Sequence, residues 1–195
     1  LAQMVAETCA VPVSVCGPSS RVSRRANDKL WFADCVRQLL GPHRVPRSFA
    51  AYGPAAAVGH VRRLARSSPR VVVKVPHSAG SAGNISLESD YVMAADSGYL
   101  RQQLLDLLYA RGWRHEYPFL VGIWNCAVEC SPSVQMWIPL EQQGPPVAEG
   151  IFEQNVAGLH GTIVGASRAR LAPGLRDMLI DEALVLGRLL QKLSY

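Results

Sequence analysis

Lys74 interrupts a run of valines, with Val71, Val72 and Val73 before it and Val75 after it. Such a run reads as a buried strand. A lysine buried there is costly unless an anion meets it. Ser78, Gly80, Ser81 and Gly83 follow at once. Small residues let backbone N–H groups approach an anion closely. A strand lysine followed by a glycine-rich loop therefore points to a phosphate site. The same segment also reads as an edge strand whose lysine faces water, ending in a flexible hairpin.

Two further pieces carry chemistry. Asn27-Asp28-Lys29 stands at the start of a helix. A cation in a first helical turn opposes the helix dipole slightly, which favours a ligand role for Lys29. Farther on, Glu153 follows Ile151 and Phe152 on an expected strand. A carboxylate with a free backbone edge after it would pair with a purine's amino group and ring nitrogen. Ile151 and Phe152 would add apolar contact. Two lysines from different elements would hold the phosphates.

The elements that must position these groups follow from periodicity and breakers. Residues 17–26 are rich in Gly, Pro, Ser and Arg and read as a loop. Asn27 or Asp28 caps a helix with Leu30, Trp31, Cys35 and Leu39 on its apolar face, ended by Gly41-Pro42. Val45-Pro46 opens a short extended piece. Residues 54–66 form an Ala-rich helix with Arg62, Arg63 and Arg66 on its outer face. Ser67-Ser68-Pro69 breaks it before the valine strand. Residues 99–111 form another helix. Strands are expected over 119–129, 133–138, 147–156 and 161–167, with Cys126, Cys130, Trp124 and Trp137 in the core. Pro173 suits the first position of a last helix. Clustered strands in the second half argue for antiparallel pairing. The fold class is α+β or mixed α/β, not a regular doubly wound array.

This set of pieces, in this order, resembles the ATP-grasp fold of carboxylate–amine ligases. The matching motifs are Asp28-Lys29, Val45-Pro46, the strand ending in Lys74, the loop Gly80-Ser81-Ala82-Gly83, and the strand carrying Glu153. The resemblance implies a two-lobed fold with mainly antiparallel sheets, incomplete at both ends. It divides the chain into a remnant of a preceding α/β domain over 1–26 and an ATP-grasp-like region over 27–195. The first lobe would span about 54–150, and a truncated second lobe would begin near 151. Lys29 and Lys74 would contact the ATP phosphates. Gly80, Ser81, Ala82 and Gly83 would close over them. Glu153 would accept from the adenine amino group, with Gln154 and Val156 offering backbone groups. Position 160, where the family often carries a ribose-binding carboxylate, is His160. Magnesium is expected in an intact parent, its ligands lying on strands beyond residue 195. The partners implied are ATP and a small carboxylate or amine substrate, joined through an acyl phosphate.

Composition sets outer bounds. The chain has 195 residues, 49% of them hydrophobic and 18% charged, which suits one or two globular domains rather than a disordered chain. A net charge of +5 favours anionic ligands only mildly. Five cysteines, with no Cys-x-x-Cys and no histidine pair at zinc spacing, are expected as reduced thiols in a cytoplasmic protein. No apolar run reaches the roughly 18–20 residues a membrane helix needs. The first residue is Leu1, and a fragment is expected. The alternative to a ligase is a non-catalytic nucleotide-binding or interaction module of the same fold. A nucleic-acid surface using Arg21, Arg24, Arg25, Arg62, Arg63 and Arg66 ranks last, since no stacking aromatic platform accompanies it. Walker and Gly-x-Ser-x-Gly motifs are absent.

Overall fold

The computed structural model describes residues 17–75, 78, 83–158 and 161–193, together with Thr8. Gly80, Ser81, Ala82 and His160 lie outside the described residues, as do His77, Cys9 and Cys16. Helix α1 (Ser20–Ala26) occupies a stretch read above as loop. The Ser19 hydroxyl accepts from the Val22 N–H and caps it, and Val22 is buried. Helix α2 (Lys29–Leu39) starts where expected, because the Asp28 carboxylate accepts from the N–H groups of Leu30 and Trp31 at 2.9 and 3.2 Å. Gly41, with φ at +100°, then turns the chain into a short 3₁₀ turn, Pro42–Arg44.

The first sheet has the order β1-β4-β2-β3, every neighbouring pair antiparallel. Its strands are β1 (Ser48–Ala51), β2 (Arg70–Lys74), β3 (Asn84–Glu88) and β4 (Phe119–Ile123). The valine strand is therefore interior, not the edge strand of the second sequence reading. Helices α3 (Pro54–Ala65) and α5 (Ser97–Ala110) supply the core over one face. Val61 and Leu64 of α3 and Leu100, Leu104 and Leu108 of α5 join Val71, Val73, Ile85, Phe119 and Val121 in one buried cluster. Side chains alternate along a strand. With Val71 and Val73 in the core, Val72 and Lys74 face the other way.

Strand β3 and helix α4 (Ser89–Ala94) were not read from the sequence. Six residues are too short for a helical period to register, and in β3 only Ile85 and Leu87 mark the alternation, directly after the glycine-rich run. Arg62 of α3 departs from the expected outer face. Its guanidinium donates to the Ala95 carbonyl, and its Nε is buried without a partner among the described residues. Strand β4 stops at Ile123, short of the expected 129, because β2 opposite it begins at Arg70.

The second sheet has the order β5-β6-β7, again antiparallel. It comprises β5 (Pro132–Trp137), β6 (Val147–Ala157) and β7 (Thr162–Arg168). A 3₁₀ turn, Glu141–Gln143, lies between β5 and β6. Helix α6 (Pro173–Lys192) begins with Pro173 and lies against β5 and β6. Gly187 allows that approach: a Cβ there would run into Met136 and meet Pro146 at 3.0 Å. The chain passes between sheets through residues 124–131, and residue 151 falls inside β6. Cys126 and Cys130 are exposed in that passage, and Trp137 is 49% exposed, so none of them is core. Among the described residues no helix is long and apolar enough to cross a membrane.

Candidate functional site

Lys29 and Lys74 come together in one cleft of about 340 Å³ on the face of the first sheet away from the core. Lys29 arrives from the first turn of α2, and Lys74 from the end of β2. Phe32, Val36, Val45 and Pro46 wall the cleft, with Val72, Leu120 and Gly122 at its sheet side. The expected Val45-Pro46 piece thus has a definite place. Arg44 also lines the cleft and was missed by the sequence reading. Its only signal was a cation beside the Gly-Pro and Val-Pro breaks.

Both amines are held below the ordinary lysine value of 10.5. For Lys74 the cause is burial, which disfavours the charged form. For Lys29 burial is the larger cause, followed by the nearby Lys74 charge, with Asp28 opposing both. Among the described residues neither lysine is in an ion pair. Two mutually repelling, partly desolvated ammonium groups form a place where an anion gains and an isolated lysine loses.

The glycine-rich loop starts beside them. The Val75 N–H donates to the Gly83 carbonyl at 3.0 Å, closing the base of the β2–β3 connection. Lys29 Nζ donates to the Val75 carbonyl at 3.2 Å, to the Ser78 carbonyl at 2.6 Å and to Ser78 Oγ at 3.1 Å. Ser78 Oγ in turn donates to the Val75 carbonyl at 2.9 Å. Lys29 thus ties helix α2 to the loop's first residues. Gly83 is buried, and a Cβ on it would overlap the Ser78 side chain. The glycine is needed there for space.

Glu153, Gln154 and Val156 lie on the other sheet, and none of them lines the two-lysine cleft. Glu153 Oε1 accepts from the Ser131 N–H at 2.5 Å. Pairing with β5 ends at Glu153, opposite Pro132, and Asn155, Val156 and Ala157 pair with β7 alone. Strand β6 is the middle strand of its sheet, and the Gln154 N–H donates to the Ser131 carbonyl at 3.0 Å. Val156 is exposed beside a bulge in the β6–β7 pairing. Of the expected site, then, the structure gathers Lys29, Lys74 and Gly83, and sets Glu153, Gln154 and Val156 apart. Among the described residues no three His, Cys, Asp or Glu side chains converge as a metal site.

Comparisons with known proteins agree with the two-sheet architecture. No protein-family model matches the chain, and no curated protein matches it. Among solved structures, D-alanyl-alanine synthetase A from Vibrio cholerae O1 is similar, with a TM-score of 0.61 at 12% identity. The match covers 97% of this chain and 54% of that one, so the chain spans about half the length of that protein. At such identity the likeness is one of fold: the chain has an ATP-grasp-like α+β fold with two antiparallel sheets.

Proposed function

We propose that this chain grips ATP by its phosphates, as the nucleotide-binding part of an ATP-dependent carboxylate–amine ligase. The observation that carries the reading is the convergence of Lys29 and Lys74, both partly desolvated, at the mouth of a glycine-rich loop. Oriented ammonium groups offset the charge of phosphates, and the more so the further they are desolvated. Gly80, Ser81, Ala82 and Gly83 would close on the phosphates with backbone N–H groups. Glu153, Gln154 and Val156 would meet the base only from across the gap between the sheets.

In the reaction proposed, a carboxylate oxygen attacks the γ-phosphorus and the bond to the β-phosphate oxygen breaks, releasing ADP. The acyl phosphate formed is then attacked by an amine, which displaces inorganic phosphate and loses a proton. In this chain Lys29 and Lys74 would position the transferred group and stabilise its charge.

Calorimetric titration of ATP into the protein and into Lys74→Met tests the grip. Loss of a charge-assisted contact should weaken ATP by roughly tenfold or more. Equal affinity for both proteins would reject it. Release of ADP in the presence of a carboxylic acid and an amine would then separate a ligase from a non-catalytic nucleotide-binding module.

A further inference from the structure

A second cleft, of about 540 Å³, opens between the second sheet and helix α6 and shares no lining residue with the two-lysine cleft. Arg168 ends β7, Arg170 follows two residues on, and Arg176 lies in the first turns of α6. All three line this cleft, with Glu149 as its one carboxylate. Among the described residues none of the three arginines is in an ion pair. The lining therefore carries two positive charges in excess. The segment that presents Arg168 and Arg170 is held in place, since the Ala169 N–H donates to the Ile151 carbonyl at 3.0 Å.

The rest of the lining is apolar, chiefly Phe152, Leu171 and Ile180. Gly150 makes room for the Phe152 ring: a Cβ at 150 would meet that ring at 3.0 Å. A guanidinium rim above an aromatic and aliphatic floor suits one class of ligand. It is an organic acid whose carboxylate takes the forked N–H donors of an arginine and whose carbon body covers the floor. A bare inorganic anion would use only the rim, and a neutral alcohol only the floor.

We propose that this cleft binds a carboxylate-bearing substrate with an apolar body. Its role as the acid of a ligase rests on the reading above; its ability to bind does not.

The test uses acetate, hexanoate, hexanol and inorganic phosphate, followed by NMR line broadening and calorimetry on the protein and on the double variant Arg170→Ala/Arg176→Ala. Hexanoate should bind more tightly than acetate, phosphate or hexanol. The double variant should lose hexanoate by roughly tenfold or more and keep its affinity for ATP. Arg170 and Arg176 are exposed, and circular dichroism melting would show the variant folded. A Lys74→Met protein should still take hexanoate. Equal hexanoate binding by wild type and double variant overturns the proposal. So does phosphate displacing hexanoate at equal concentration, or ATP affinity falling in the double variant. If ATP fails to bind while hexanoate binds as described, the nucleotide reading fails and this site stands.

Discussion

At the scale of residues, the telling contrast is between Lys74 and its valine neighbours. Val71 and Val73 are fully buried in the core, while Lys74, one position on, turns its amine into the opposite cleft. Burial lowers the pKa of Lys74, and burial together with Lys74 lowers that of Lys29. The sign for stability follows. With folded values below the unfolded 10.5, the unfolded chain binds more protons between the two, so stability of the free protein rises as pH climbs toward 10.5. Phosphate binding runs the other way, because it needs the ammonium forms. ATP affinity should therefore fall as pH rises through the lowered values, before an ordinary lysine would titrate. Calorimetric titrations on the alkaline side of neutrality, beside urea melts at the same pH values, check both slopes. Parallel slopes would contradict the assignment of these amines to the ligand.

Elements set where those amines point. Asp28 shows how local the control is. Its carboxylate caps α2 through Leu30 and Trp31, and Lys29 is the first residue of that helix. Asp28→Ala should cost about 1 kcal/mol of stability, the usual worth of such a cap. It should also weaken ATP, because fraying the first turn releases Lys29 from Ser78 and Val75. Asp28→Ser retains a capping oxygen and should recover most of both losses, measured by urea unfolding and ATP titration. A stability loss with unchanged ATP affinity would show that Lys29 keeps its place without the cap.

At the scale of the whole molecule, few polar contacts among the described residues join the part built on the first sheet to the part built on the second. One is the ion pair between Arg44, beside the two-lysine cleft, and Glu182 of α6 at 2.6 Å. The same guanidinium lies 3.1 Å from Met178 Sδ. Both side chains of the pair are partly exposed, so a double-mutant cycle with Arg44→Ala and Glu182→Ala should give a coupling of only about 0.5–1 kcal/mol. That coupling should shrink in high salt. A coupling independent of salt would mean that the contact is chiefly apolar.

Much of this was legible in the chain itself. Asp28 as a cap, Pro173 as a helix start, the Gly41-Pro42 break and the alternation of β5 are local signals, and local signals survive without knowledge of what packs where. The valine run announced a buried strand, and Lys74 within it announced a cation held partly out of water. Pairing was not legible. Whether β2 was edge or interior depended on β3, and no local signal says which strands lie side by side. Glu153 has the residue type and local context of a base-binding carboxylate, but that its carboxylate accepts from the Ser131 N–H, at the residue where pairing with β5 ends, is decided by the neighbouring strand. Cys126, Cys130 and Trp137 were expected in the core because apolar residue types favour it, but the passage between sheets and an open sheet face leave them exposed. Residue types and short-range periodicity are properties of the chain. Strand neighbours, the sharing of a cleft by Lys29 and Lys74, and the gathering of three arginines beside α6 arise only when segments distant in sequence pack. Tertiary structure alone decided those.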